Sequence, residues 1–289
     1  MKTIITLIRC PDAARLINRI TGFISEAGGN IVHLEEWVDK GARPGKNRVK
    51  PVFLMRIVSE HDDADAPLIH SIQEGVSLLS GGKVETHDTA DKFRVAFLAS
   101  HERHCLDEVV MAYRRGELDF EPVFIGSNYL DLREAVTRDC HGWKFKYFPV
   151  GSGGRMEQGD QIIAALERKK VDILVLAKYM SILSPSFIKR FPNTVNVHHS
   201  FLPAFKGSRP YEQAYRRGVK SIGATSHFIT EHLDRGPIIA QMQTNVAGYS
   251  IDEMKREGRT LERLITLETL RALIEHRVIR YGKKTYVFR

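Results

Sequence analysis

The order of strands and helices changes near residue 90, and this change constrains the fold more than any other feature of the chain. Before it, the spacing of apolar residues predicts four strands and two helices, in the order strand, helix, strand, strand, helix, strand. After it, strands and helices alternate one by one as far as residue 177, which is typical of a parallel sheet. A chain of 289 residues is long enough for two domains, each with its own core.

Residues 1–88 are predicted to form a ferredoxin-like α+β domain, because the order of their elements is that of this fold. A polar loop is expected at 41–50, and the charged stretch 86–92 is interpreted as a linker. The expected strands are 3–9, 30–38, 52–58 and 82–87, and the expected helices are 13–27 and 65–79.

Residues 93–289 are predicted to form a Rossmann-like, doubly wound α/β domain with right-handed crossovers. The expected strands are 94–99, 121–126, 145–149, 171–177, 193–198, 222–229 and 237–244, and the expected helices are 104–115, 130–140, 157–169 and 252–279. The last helix is amphipathic. Its buried stripe is predicted to contain Leu261, Leu264, Ile265, Leu270, Leu273, Ile274 and Val278.

Composition excludes several classes of protein. The formal net charge is +8, but the Lys and Arg residues are scattered and accompany no nucleic-acid-binding motif, so nucleic acid is not an expected partner. No apolar run approaches the roughly 18 residues that a membrane span needs. Thr6 and Arg9 interrupt the apolar start of the chain, which argues against a signal peptide and predicts a cytoplasmic protein.

No metal site is expected. The three cysteines, Cys10, Cys105 and Cys140, lie far apart and form no C-x-x-C motif, so we expect buried, inert thiols. The segment 101–104, His-Glu-Arg-His, lacks the two residues that a zinc-binding helix places between its Glu and its second His.

Polar residues at the end of a predicted strand give the first candidate site. Alternation along the strand 193–198 places Asn196 and His198 on the same face, near the carboxyl end where open α/β sheets bind ligands. Burying an amide and an imidazole there is costly unless both are paired or functional. Asp234 lies in a tight loop between two predicted strands and supplies a carboxylate to complete the set.

Three segments together resemble the folate formyltransferase family: 177–185, 196–203 and 227–236. The family includes transferases that formylate glycinamide ribonucleotide and methionyl-tRNA, and the resemblance covers about residues 93–289. Residues 1–88 resemble an ACT domain. This two-part layout, the doublet His198-His199 and the stretch Gly207-Ser208-Arg209-Pro210-Tyr211 are similar to the branch of the family that releases the formyl group to water.

The resemblance implies hydrolysis of 10-formyltetrahydrofolate to formate and tetrahydrofolate, without a cofactor or metal. Asn196 and a protonated His198 would stabilise the negative charge that develops on the formyl oxygen. His198 would also protonate the leaving nitrogen, and Asp234 would orient the attacking water and accept its proton. The resemblance further implies that the substrate is bound by Met180, Ile182, Leu183, His199, Gly207, His227 and Thr230.

Other functions remain open at this point. The alternatives are formyl transfer to an amine acceptor, an ACT sensor with an inactive catalytic domain, and a nucleic-acid binder suggested by charge alone. The segment 100–106 replaces the glycine-rich phosphate loop of the ribonucleotide transferase, which argues for water as the acceptor. An ACT domain implies a homo-oligomer and an amino-acid effector. The segment 11–15 lacks the glycine that effector-binding ACT domains often carry, so the effector is left open.

Overall fold

The structure is a computed structural model that describes residues 1–41, 50–62, 65–140, 142–205, 207 and 209–289. It divides into two compact units: unit 1 comprises Met1–Lys92 and Glu275–Arg289, and unit 2 comprises Phe93–Ile274. No helix within the described ranges is long and apolar enough to cross a membrane. Most of the predicted polar loop at 41–50, and residues 206 and 208 of the predicted site segments, lie outside the described residues.

The first part of unit 1 has the predicted ferredoxin-like order of elements. These are β1 (Lys2–Pro11), α1 (Leu16–Glu26), β2 (Asn30–Asp39), β3 (Val52–His61), α2 (Ala66–Ser80) and β4 (Lys83–Asp88). The sheet order β2-β3-β1-β4 is antiparallel, which is the topology of an ACT-like domain. The predicted linker is shorter than expected, because its first residues belong to β4.

Local sequence explains where α2 begins and ends. The side chain of Asp65 accepts a hydrogen bond from the backbone N–H of Leu68 at 2.9 Å, which satisfies one free donor of the first turn. Gly81 closes the helix with φ +64, a conformation that costs glycine little. Both helices cover one face of the sheet, where Ile20, Ile72 and their apolar neighbours form a buried core.

Unit 2 is built around a seven-stranded sheet in the order β11-β10-β9-β8-β5-β6-β7. Its strands are β5 (Arg94–Ala99), β6 (Glu121–Ser127), β7 (Phe145–Tyr147), β8 (Ile173–Ala177), β9 (Thr194–His198), β10 (Ser221–Phe228) and β11 (Ile238–Asn245). Its helices are α3 (His104–Arg114), α4 (Leu132–Asp139), α5 (Gly154–Arg168), α6 (Pro185–Arg190), α7 (Pro210–Arg216) and α8 (Ile251–Ile274). The sequence analysis did not predict α6 and α7, which are short.

In the sheet of unit 2, the five strands β5 to β9 run parallel to one another, as predicted. β10 runs antiparallel to both of its neighbours in the sheet, β9 and β11. The connection between β10 and β11 has no helix and is too short for the crossover that parallel neighbours require. The central strand β8 is buried along its whole length, as its continuous apolar sequence predicts.

The prediction for the C-terminus was wrong. The helix expected at 252–279 ends at Ile274, and β12 (Val278–Tyr281) and β13 (Lys284–Val287) follow as a hairpin. The hairpin belongs to unit 1, so the expected domain 93–289 is shorter by these last residues. The reason is apolar burial: Ile279, Tyr281 and Phe288 pack with Ile5 and Leu54 in a second core of unit 1.

The buried stripe of α8 also differs from the prediction in three positions. Leu264, which was expected to be buried, is 49% exposed, and Ile274 at the end of the helix is half-buried. Val278 lies in β12 instead of in the helix. Glu262 occupies the buried face with only 1% of its surface exposed. A carboxylate on the apolar face of a helix requires strong partners, and it marks a polar centre inside unit 2.

We predict that Phe288→Ala destabilises unit 1 by about 3–5 kcal/mol, because the fully buried ring would leave a cavity in the second core. The free energy of unfolding from urea denaturation measures the loss. Leu264→Ala is the control, since truncating a half-exposed side chain should cost under about 1 kcal/mol. Equal losses in the two variants would contradict the role given to the hairpin.

Candidate functional site

A cavity of about 550 Å³ opens beside the carboxyl ends of β8 and β9 and beneath the loop between β10 and β11. This volume suits a small-molecule ligand. The cavity brings together all ten residues that the sequence analysis assigned to catalysis or substrate binding: Met180, Ile182, Leu183, Asn196, His198, His199, Gly207, His227, Thr230 and Asp234.

Asn196, His198 and Asp234 form the polar end of this cavity. Asn196 and His198 lie on one face of β9, as alternation predicts, and His198 is buried. Asp234 reaches back from the β10–β11 loop and places its Oδ1 atom 3.5 Å from Nδ1 of His198. On its other edge, the His198 ring has Nε2 3.4 Å from the carbonyl oxygen of Phe205. The carboxylate and the imidazole therefore face each other, and both are largely buried.

The loop that carries Asp234 has a demanding backbone. Asp234 has φ +53, a left-handed conformation that residues other than glycine rarely adopt. Two residues later, a Cβ atom at Gly236 would lie 1.6 Å from the carbonyl oxygen of Phe228, so only glycine fits there. The backbone N–H of Gly207 donates to Oδ2 of Asp234 at 3.2 Å. These contacts fix the direction of the carboxylate, and backbone strain of this kind is common at functional sites.

Two further histidines stand beside the central pair. Nδ1 of His227 lies 2.9 Å from the carbonyl oxygen of Phe228, and its Nε2 lies 3.9 Å from Oδ1 of Asp234. Within the described part of the chain, that Nε2 atom is buried and has no hydrogen-bond partner. His199 packs between His198 and Tyr211, with ring centroids 5.2 Å and 5.7 Å away. His227 therefore lines the cavity next to Asp234 with its ring buried.

Burial keeps these three histidines neutral. It lowers the pKa of His198 below the ordinary value of 6.5, although the neighbouring Asp234 opposes the shift. Burial, assisted by the charge of Lys178, lowers the pKa of His199 to about 4, and burial also lowers the pKa of His227. The direction of this shift favours a neutral His198 in the free protein near pH 7, so a proton that it donates would be acquired during the reaction. The protonated His198 of the sequence analysis stays a prediction.

The other wall of the cavity is apolar. Met180 and Ile182 are 68% and 64% exposed, whereas Leu183 packs against the core of unit 2. Exposed apolar side chains around a concave surface favour a flat, largely apolar ligand over a role in the core. Thr230 donates its hydroxyl to the carbonyl oxygen of His232 at 3.0 Å and so shapes the rim.

Lys178 and Glu262 form an ion pair that the sequence analysis missed. Their side chains are 5% and 1% exposed, and Nζ of Lys178 lies 3.1 Å from Oε2 of Glu262. Burial alone would raise the pKa of Glu262, but the hydrogen bond from His104 and the charge of Lys178 bring it down to about 2. The available signal was the carboxylate among the apolar residues of the last helix.

One group of side chains has the spacing of metal ligands: His104, Cys105 and Glu262. Glu262 already binds the ammonium group of Lys178, the hydroxyl of Tyr211 and the ring of His104. Burial raises the pKa of the Cys105 thiol to about 12, which makes it a poor ligand at neutral pH. These contacts describe a polar network built around Glu262. All three cysteines are buried, as expected.

Comparison with known proteins shows the family to which the chain belongs. The profile of the formyl transferase family matches residues 93–270. Formyltetrahydrofolate deformylase of Synechocystis is 35% identical over 285 residues, which is 98% of this chain and 97% of the relative. The deformylase of Escherichia coli strain K12 is 38% identical over 282 residues, 96% of this chain and 95% of the relative. The crystal structure of a formyltetrahydrofolate deformylase from Pseudomonas syringae is 33% identical, with a TM-score of 0.91, and covers 100% of this chain and 95% of that one.

The doubly wound unit 2, with its polar residues at the ends of β8 and β9, thus belongs to the formyl transferase family. The relatives that match nearly the whole chain, unit 1 included, place it among the formyltetrahydrofolate deformylases.

We predict that the ring of His198 titrates with a midpoint below pH 6.5. The free-energy cost of charging the buried ring exceeds the stabilisation that Asp234 gives to its charged form. Nuclear magnetic resonance of ring-labelled histidine, with His198→Gln for assignment, gives the midpoint. The exposed His70 serves as the reference within the same spectra. A midpoint above 6.5 for His198 would show that the pair is an imidazolium–carboxylate ion pair at rest.

Proposed function

We propose that the protein hydrolyses 10-formyltetrahydrofolate to formate and tetrahydrofolate. The observation that carries this proposal is the cavity itself, in which Asn196, His198 and Asp234 face an apolar wall. The relatives of nearly equal length, named as deformylases, support the same reaction. The pteridine ring would lie on Met180 and Ile182, with the formyl group at the polar end.

The first step is the attack of water on the formyl carbon. Asp234 orients this water through Oδ1, while its Oδ2 atom is held by the N–H of Gly207. As the water oxygen bonds to carbon, one of its protons passes to the pair formed by Asp234 and His198. The amide of Asn196 donates to the formyl oxygen, which becomes negatively charged.

The second step is the release of the folate nitrogen. His198 is neutral at rest and acquires the proton during the attack. When the carbon–nitrogen bond breaks, the Asp234–His198 pair returns this proton to the nitrogen. The products are tetrahydrofolate and formic acid, which loses its own proton to solvent. The chain thus ends the cycle with the same protonation it had at the start.

The alternatives are less well supported. Transfer to an amine requires room for the acceptor beside the formyl group, and buried charged side chains, among them Lys178 and Asp234, line the polar end of the cavity there. An inactive sensor would have no need to keep a strained Asp234 against His198. Both observations favour water as the acceptor and an active centre.

We predict that Asp234→Asn lowers kcat for formate release by ~10²–10⁴-fold, because the amide cannot accept a proton from water. The dissociation constant of a folate analogue should change by less than ~10-fold, since other residues form the apolar wall. Asp160→Asn makes the same chemical change at an exposed position of unit 2 and should retain normal turnover.

The two measurements, with melting temperatures on the same preparations, separate a chemical role from a structural one. An Asp234→Asn protein that melts early but turns over normally would assign the proton transfer to a different carboxylate.

We also propose that the protein works in the cytoplasm as a homo-oligomer, where its products enter one-carbon and purine metabolism. Unit 1 would be the ACT domain that assembles the oligomer and responds to a free amino acid. Its ferredoxin-like topology and the exposed Leu78 on α2 support the assembly role. Large apolar side chains on a helix surface favour contact with a second copy, and symmetric assemblies are the common result.

We predict that Leu78→Asp reduces the molecular mass in light scattering, because a carboxylate replaces an apolar side chain that is 85% exposed in the single chain. Leu130→Asp, on a half-exposed leucine of unit 2, is the control and should leave the mass unchanged. An unaltered mass for Leu78→Asp would contradict assembly through α2. If added glycine and methionine leave the rate of formate release unchanged, the proposal of an amino-acid effector is contradicted.

A further inference from the structure

Lys178 has a backbone conformation that calls for an explanation. It directly follows β8 and has φ +63, in the left-handed region that favours glycine. This backbone conformation is strained for a lysine. We therefore look for the reason in the position that the turn gives to its side chain. That direction is inward: the side chain is 5% exposed and lies against the polar end of the cavity.

The buried ammonium group is held by a rigid acceptor. Glu262 binds Nζ of Lys178 at 3.1 Å through Oε2, which is also 2.8 Å from Nε2 of His104. The hydroxyl of Tyr211 donates to Oε1 at 2.7 Å. The carboxylate of Glu102 lies farther from Nζ, at 4.0 Å, on a half-exposed side chain. Glu262 therefore fixes one direction of the ammonium group and leaves N–H donors for another partner.

A buried ion pair is a poor device for stability alone. Removing two charges from water costs about as much as their attraction returns, and apolar residues of similar size would pack at least as well. The pair is also close to the reacting groups, since Lys178 lines the same cavity as His198 and Asp234. Its position favours a role in the reaction.

We propose that Lys178 is a specificity-determining residue whose ammonium group donates a hydrogen bond to the attacking water and excludes a protonated amine from the acceptor position. Glu262 and Tyr211 act through it as positioning residues. The inference rests on the proposed function and specifies why water, and not an amine, receives the formyl group.

The chemistry balances without a further reactant. The water accepts from Lys178, donates to Asp234 and uses its remaining lone pair to form the bond to the formyl carbon. One water proton passes to the Asp234–His198 pair and then to the folate nitrogen as the carbon–nitrogen bond breaks. Lys178 keeps its protons and stabilises the hydroxide character that the water oxygen gains as its proton passes to the Asp234–His198 pair. A primary amine at neutral pH is mostly an ammonium ion, which a second buried cation repels.

The test removes the charge pair without leaving a lone buried charge. Lys178→Met leaves Glu262 unpaired and could unfold the chain, so the decisive variant is Lys178→Met with Glu262→Gln, which keeps the bonds of residue 262 to His104 and Tyr211. Wild type and variant are given 10-formyltetrahydrofolate with and without methylamine, and formate and N-methylformamide are quantified. Arg103→Met breaks a different ion pair of unit 2, with Asp107 and Asp139, and is the matched control.

We expect kcat for formate release to fall by at least ~10²-fold in the double variant, with KM within about 3-fold and little change in melting temperature. The ratio of N-methylformamide to formate should rise at least ~10-fold, and Arg103→Met should behave as wild type. Hydrolysis at the wild-type rate, or a lower rate with an unchanged product ratio, would overturn the proposal and make the pair structural. If the wild type itself releases no formate without amine, the proposed function fails, which is a separate outcome.

Discussion

The contact between His198 and Asp234 is the interaction on which the site depends. It joins the end of β9 to a loop from the neighbouring antiparallel strand, with 3.5 Å between nitrogen and oxygen. The loop reaches this position because Gly236 lets its backbone approach Phe228 and because Asp234 accepts a left-handed conformation. A side chain at Gly236 would displace the carboxylate and leave a buried imidazole without its partner. The antiparallel addition of β10 and β11 thus serves the site directly.

Electrostatic balance is the second constraint. The polar end of the cavity gathers three histidines, one carboxylate and one ammonium group, of which His199 is half-buried and the others are buried. Burial alone would favour the neutral form of each group. Each charged group has a fixed partner: the N–H of Gly207 donates to Asp234, and Glu262 binds Lys178. Burial lowers the pKa of all three histidines and favours their neutral form, although Asp234 opposes the shift at His198.

Much of this could be predicted from the sequence, for identifiable reasons. Apolar spacing gave the correct order of elements in residues 1–88 and the alternation of strands and helices from β5 to β8, because each of these elements buries one consistent face. Alternation along β9 placed Asn196 and His198 together, and the tight loop between two predicted strands added Asp234. The hairpin β12–β13 was missed, because its apolar residues pack against the second face of a sheet whose strands lie far away in the sequence. Lys178 and Glu262 were missed for the same reason, because the two residues of this ion pair lie far apart in the sequence and only the fold brings them together.

The central claim is that water receives the formyl group, and isotope labelling tests it most directly. The wild-type protein would be given 10-formyltetrahydrofolate in ¹⁸O-water, without amine in one sample and with methylamine in another, and formate would be analysed by mass spectrometry. The account predicts formate that carries one ¹⁸O atom in both samples, in an amount equal to the tetrahydrofolate formed. Tetrahydrofolate that appears only with amine, accompanied by N-methylformamide and no labelled formate, would contradict it.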